Sequence, residues 1–131
     1  MVLISHRKKF IYIKNKKVAG TSVEAYFEKY CLDPLKNHEP THRINEKITK
    51  YGIIGFRNTG NNQNSKYMNH MNASSIRDNI GSKKFNQYFK FCVVRNPYDK
   101  MVSLYHHRMS GRINKKSFSQ FCMETHCLNV N

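Results

Sequence analysis

Lys9-Phe10-Ile11-Tyr12-Ile13-Lys14-Asn15-Lys16-Lys17-Val18-Ala19-Gly20-Thr21-Ser22-Val23-Glu24 changes its pattern halfway along. Its first five residues are β-branched or aromatic around one lysine, which reads as a strand. A lysine-rich loop follows as far as Gly20. From Thr21 to about Tyr30 a helix is expected, with Val23, Tyr26, Phe27 and Tyr30 on one face. Thr21 with Glu24 three residues on predicts a capping box. The stretch is therefore a strand, a loop and a helix, with the loop lying over the helix N-terminus. Free N–H groups and the helix dipole make such a loop a cradle for phosphate. Ala19 and Gly20 allow close approach, Thr21 and Ser22 add hydroxyl donors, and Lys17 adds charge. A nucleoside-triphosphate P-loop would need G-x-x-x-x-G-K-[ST]. Here the lysine precedes the glycine and no upstream glycine stands where the pattern requires one, which argues against an ATPase or kinase. Taken alone, the segment fits an ordinary capped helix after a basic loop equally well.

A second stretch, Phe91-Cys92-Val93-Val94-Arg95-Asn96-Pro97-Tyr98-Asp99-Lys100-Met101-Val102-Ser103, works differently. Tyr88–Val94 is a nearly continuous apolar run, expected as a central strand with Cys92 a buried free thiol. Asn96 can cap a helix that begins at Pro97, and Asp99 suits its positive end. That helix is expected to run to about Arg108 and to bury Met101, Val102, Leu104 and Tyr105. An arginine at the carboxyl end of a strand sits where open α/β sheets bind ligands. Arg95, with Ser103 two turns further on, could converge on one phosphate, since a guanidinium grips phosphate oxygens in bidentate fashion.

The remaining elements follow from punctuation. Asp33 to Lys50 reads as loop with a short helix near Glu46–Lys50, and Tyr51–Phe56 as a short strand. Arg57–Asn69 is an Asn- and Gly-rich exposed loop, Ala73–Ile80 a helix stopped by Gly81, and Phe118–His126 a last helix capped by Ser117. Strands alternating with helices predict a doubly wound parallel sheet in one domain.

The chain has 131 residues, of which 39% are apolar, enough for one modest core. Lys and Arg number 23 against 8 Asp and Glu, a net charge of +15. Such an excess points to a polyanionic partner: nucleic acid, an anionic membrane surface, a phosphorylated nucleotide or an acidic glycan. No apolar run approaches the roughly 20 residues of a membrane span. The N-terminal charges follow the short apolar patch, the reverse of a secretory signal, so a cytoplasmic protein is expected. The four cysteines show no disulfide spacing and are expected to be reduced.

Lys17-Val18-Ala19-Gly20-Thr21-Ser22, after its aromatic strand, resembles the 5′-phosphosulfate loop of the sulfotransferases that use 3′-phosphoadenosine 5′-phosphosulfate (PAPS), P-K-x-G-[GS]-T-S. Val94 to Ser103 resembles their 3′-phosphate motif, V-R-[ND]-P-[YW]-x-[RK]-x-x-S. The resemblance is to the branch with the heparan and chondroitin O-sulfotransferases and their microbial relatives, and spans roughly Phe10 to Arg108. It implies a P-loop-like three-layer α/β fold with a central parallel sheet flanked by helices. It also implies PAPS as sulfate donor, with Lys17, Ala19, Gly20, Thr21 and Ser22 around the 5′-phosphosulfate and Arg95 and Ser103 on the 3′-phosphate. Lys16 stands in place of the usual proline and Ala19 in place of a common glycine. Relatives continue past the last expected helix, so residues 1–131 are expected to form a single domain incomplete at its C-terminus.

Sulfuryl transfer depends on positioning and electrostatics, and needs no metal. Lys17 is the candidate to stabilise the departing 3′,5′-ADP. His70 is the candidate base: it lies in the loop before the Ala73 helix, where relatives often carry a histidine, and imidazole suits proton abstraction near neutrality. His106 and His107 are weaker candidates, one expected to pack and the other to face solvent. His38 with His42, and Cys122 with His126 and Cys127, lack convincing metal-ligand spacing. The acceptor is expected to be a hydroxyl or amine, with the basic surface favouring a carbohydrate. Two other readings stay open: a homologue that binds PAPS or acidic glycan without catalysis, and a basic nucleic-acid-binding module.

Overall fold

Short connections decide how this sheet is wired. The computed structural model describes residues 1–36, 45–56 and 65–126. Readings that fall on 37–44, 57–64 and 127–131, those of His38, His42 and Cys127 among them, lie outside the described residues, as does the side chain of His126. The chain divides into two compact units, Met1–Val93 and Val94–Asn131.

In the first unit, β1 (Leu3–Ser5), β2 (Phe10–Tyr12), β3 (Lys47–Thr49), β4 (Gly52–Ile54) and β5 (Phe89–Phe91) form one sheet in the order β3-β4-β1-β2-β5. The expected parallel sheet is corrected here. β1 pairs antiparallel with β2 and β4, and β3 antiparallel with β4; only β2 and β5 run parallel. Residues 6–9 join β1 to β2, and Lys50 and Tyr51 join β3 to β4. Links so short can only return the chain antiparallel, whereas the long helical path from β2 to β5 permits a parallel crossover. β1 was not foreseen as a strand, and β3 replaces the helix expected near Glu46–Lys50. Ile48 pairs with Ile53. Thr49 Oγ1 then closes the turn, accepting from Tyr51 N and Gly52 N, each at 3.1 Å.

Both faces of the sheet are covered. Leu3, Phe10, Tyr12 and Ile54 pack against Val23 and Phe27 of α1 (Gly20–Phe27) and Tyr30 of a 3₁₀ turn (Glu28–Cys31). Val2, Ile4, Ile11 and Ile53 face Ile76 and Ile80 of α2 (Ala73–Ile80) and Phe85 of α3 (Ser82–Gln87). Strand alternation thus divides the core between two layers of helix. Each fully buried Ile or Leu is worth about 1.5–3 kcal/mol relative to exposure. α2 ends at Gly81, whose φ of 87° only glycine adopts readily; α3 follows at once.

Two expectations for Tyr88–Val94 fail for one reason. Among the described residues β5 pairs only with β2, at the edge of the sheet rather than its centre. Phe89 is accordingly 70% exposed, and Cys92 is exposed rather than buried.

The second unit holds α4 (Pro97–Met109) and α5 (Phe118–His126). Asn96 caps α4, its side chain accepting from Tyr98 N at 2.9 Å. At α5 the capping is reciprocal: Gln120 N donates to Ser117 Oγ at 3.3 Å and Ser117 N to Gln120 Oε1 at 3.0 Å. The Tyr105 ring meets Phe118 and Phe121 edge-on, with centroids 5.3 and 5.4 Å away. The buried residue of α4 is Met109; Met101, Leu104 and Tyr105 are half-buried and Val102 is exposed, so the expected apolar face is only partly covered. No helix among the described residues is long and apolar enough to cross a membrane.

Gly52 is the tightest point of the sheet. A Cβ there would lie 2.3 Å from the Ile4 carbonyl oxygen and 2.8 Å from Cys31 Cα, both main-chain atoms that cannot swing aside. Gly52→Ala is expected to cost about 1–3 kcal/mol, read as a lower denaturant midpoint at unchanged slope. An unchanged midpoint would show that the backbone yields there.

Candidate functional site

The loop between β2 and α1 is held in a conformation that few L-residues choose. Lys17 and Ala19 have φ of 58° and 54°, while Val18 between them keeps a negative φ and is buried. Left-handed geometry costs a non-glycine residue about 1–2 kcal/mol, and a left-handed residue next to a right-handed one, as at Ala19 before the first helical residue Gly20, suits an anion-binding turn of N–H groups. The expected capping box is not formed. Ala19 is the N-cap, with no side-chain cap, and Ser22 N and Val23 N turn back to the Ala19 carbonyl oxygen at 3.0 and 3.3 Å. Among the described residues, the N–H groups of Ala19, Gly20 and Thr21 find no acceptor. Ala19, Thr21 and Ser22 are exposed and Lys17 is half-buried, so the loop presents donors and charge outward.

Gly20 serves a purpose other than the expected one. A Cβ at Gly20 would lie 2.6 Å from Lys14 Cε. The missing side chain admits the Lys14 stem, which crosses the first turn of α1 to reach Glu24 at 3.0 Å (Nζ to Oε1). Glu24 is fully buried, which explains the failed capping box: its carboxylate points inward, where the Met1 amino group also donates to it. Burial pushes the Met1 amine down to about 5 despite the pull of Glu24. Tyr12 Oη, also buried, has no hydrogen-bond partner among the described residues; burial first, and then Glu24, push this phenol up to about 12.

His70 stands at the same end of the unit. Its Nδ1–H donates to the Lys14 carbonyl oxygen at 3.3 Å, and neighbouring Asn69 Oδ1 accepts from the Met1 amino group at 2.5 Å. The carbonyl can only accept, so the neutral imidazole keeps its proton on Nδ1 and leaves Nε2 as an acceptor. Lost hydration lowers the His70 pKa below the ordinary imidazole value, with the charges of Lys14, the Met1 amine and Lys16 acting the same way and the hydrogen bond to Lys14 opposing them. His70 also has a left-handed backbone, at φ 57°.

Arg95 and Ser103 belong to the second unit. Arg95 is exposed just before the α4 N-cap and has no partner among the described residues; Ser103 is half-buried on the second turn of α4. His106 and His107 are both exposed, with the His106 ring edge-on to Tyr105 at 5.3 Å between centroids. Among the described residues no three His, Cys, Asp or Glu side chains gather as a metal site.

The structure thus brings Lys17, Ala19, Gly20, Thr21, Ser22 and His70 together around the end of β2, and adds Lys14, Glu24 and Tyr12, which the sequence reading missed. One signal for Glu24 was available: it lies between Val23 and Phe27 on the apolar side of the helix, where an unpaired carboxylate would be costly.

A family model described as the sulfotransferase family matches residues 1–127. The chain belongs to the sulfotransferase family, and this membership supports a transferase. Neither curated proteins nor solved structures give a match.

Two measurements test this geometry. Ala19→Gly relieves the left-handed strain and is expected to raise stability by up to about 1 kcal/mol, the extra chain entropy of glycine offsetting part of the gain; a lower melting temperature would contradict the backbone described. The proton NMR titration of His70 should have its midpoint below that of a histidine in an unstructured peptide, because partial loss of hydration and the surrounding cations disfavour the imidazolium. A raised midpoint would contradict this environment.

Proposed function

We propose that this protein transfers a sulfuryl group from PAPS to a hydroxyl or amine acceptor. The observation that carries the reading is the left-handed Lys17–Ala19 loop over the α1 N-terminus, in a chain of the sulfotransferase family that also carries Arg95-Asn96-Pro97 and Ser103. Free N–H groups, two hydroxyls and a lysine suit a phosphosulfate, which supports the fit of this donor. In this reading Lys17, Ala19, Gly20, Thr21 and Ser22 hold the 5′-phosphosulfate, and Arg95 and Ser103 the 3′-phosphate.

PAPS supplies the sulfuryl group, and this chain supplies the positioning and the proton acceptor. His70 takes the acceptor's proton at Nε2 as the acceptor oxygen or nitrogen bonds to sulfur. Lys17 offsets the charge on the phosphate of the 3′,5′-ADP that leaves. A lowered His70 pKa keeps the base unprotonated at neutral pH. For the acceptor we propose a hydroxyl of an acidic carbohydrate, supported by the net charge of +15. The P-loop-like character of the fold belongs to the same reading.

The test is calorimetric titration with 3′,5′-ADP, with 5′-AMP as control. Micromolar binding is expected, and Arg95→Ala should weaken it by about 1.5–3 kcal/mol, the worth of a hydrogen bond to a charged group. Equal affinity for 5′-AMP, or no effect of Arg95→Ala, would overturn the assignment of the 3′-phosphate site. Turnover with PAPS and a sulfated product then separates an enzyme from a nucleotide-binding homologue.

A further inference from the structure

Two short routes lead from the carboxylate of Glu24 to the loop that carries His70. One runs through Lys14, whose Nζ lies 3.0 Å from Glu24 Oε1 and whose main-chain carbonyl accepts from His70 Nδ1–H at 3.3 Å. The other runs through the Met1 amino group, which donates to both Glu24 and Asn69, the residue before His70. His70 itself has a left-handed backbone, at φ 57°.

Resting on the reading of His70 as the base, we propose that Glu24 is a positioning residue. Through Lys14 it locks the carbonyl that receives His70 Nδ1–H, and so fixes the tautomer whose Nε2 is free to take a proton. The physical argument starts from burial. A carboxylate with no exposed surface must keep its counter-charge, so the Lys14 side chain has one place to go. Gly20 leaves room for the Lys14 stem, which a Cβ there would displace. A lysine fixed at both its tip and its stem also has a fixed Cα and carbonyl. A carbonyl behind an imidazole sets which ring nitrogen carries the proton. Stability alone is a poor reason for this pair, since a buried ion pair is often matched or exceeded by apolar residues of similar volume.

The test uses the whole 131-residue chain labelled with ¹⁵N, with the His70 ring nitrogens assigned by comparison with His70→Gln. At a pH where the ring is neutral, the wild type should show the Nδ1–H tautomer. In Glu24→Gln and in Lys14→Met it should move toward the Nε2–H form that free histidine side chains favour. Turnover should fall about 10–100-fold, the usual effect of removing a group that orients an active residue, through kcat with the donor KM little changed. Should Glu24→Gln fail to fold, Glu24→Leu combined with Lys14→Met keeps the buried volume and gives the same comparison. Retention of the wild-type Nδ1–H signature in the folded variants would overturn the proposal. A wild-type rate in His70→Ala would instead remove the base from His70, while the tautomer comparison still decides what Glu24 does.

Discussion

A carboxylate placed where water cannot reach must find positive charge within the fold, and at Glu24 that need organises the surroundings. It draws Lys14 across the first turn of α1, where the absence of a side chain at Gly20 leaves room for the lysine stem. Val18 is anchored in the interior close by, so the chain must pass from β2 to α1 in a few residues, with left-handed steps at Lys17 and Ala19. The exposed residues of the loop thus sit beside an internal charge arrangement.

Much of this was legible in the sequence, and the failures have identifiable causes. The strand before Lys14, the helix after Gly20 and the caps at Asn96 and Ser117 rest on local chemistry, and local chemistry survives folding. β1 was missed because Leu3–Ser5 is only three residues long and its turn, His6 to Lys9, contains none of the usual turn residues. Glu24 was misassigned because Thr-x-x-Glu has the same spelling whether the carboxylate caps its own helix or turns into the core. Sheet direction was misjudged because alternation of element types was weighed above the length of each connection. The edge position of β5 could not be read from an apolar run, since a buried strand and an exposed aromatic edge share the same residue types.

The candidate site divides along the same line. The types of residue in the loop made it a candidate for an anion, and the histidine before α2 a candidate base. Their surroundings were hidden: the sign of φ at Ala19, the carbonyl behind His70, and the ion pair between Lys14 and Glu24. These are properties of contacts between distant residues, and a single sequence records them only as an odd glycine or a misplaced acid. Family membership supports a transferase, while the nucleotide and the proton path have to be argued from these contacts.

The wiring of the sheet also sets an order of assembly. β1 with β2, and β3 with β4, are neighbours in sequence and close through small loops, which is entropically cheap and fast. The β2–β5 register joins Phe10 to Phe89, near opposite ends of the first unit. That pairing waits until almost the whole unit has left the ribosome, and until then β2 has one bare edge. Ile13 N finds Phe91 O, and Asn15 finds the Val93 carbonyl, only after β5 docks. The segment leading into the Lys17–Ala19 loop therefore cannot gain its last main-chain partners until Phe89–Val93 has been made.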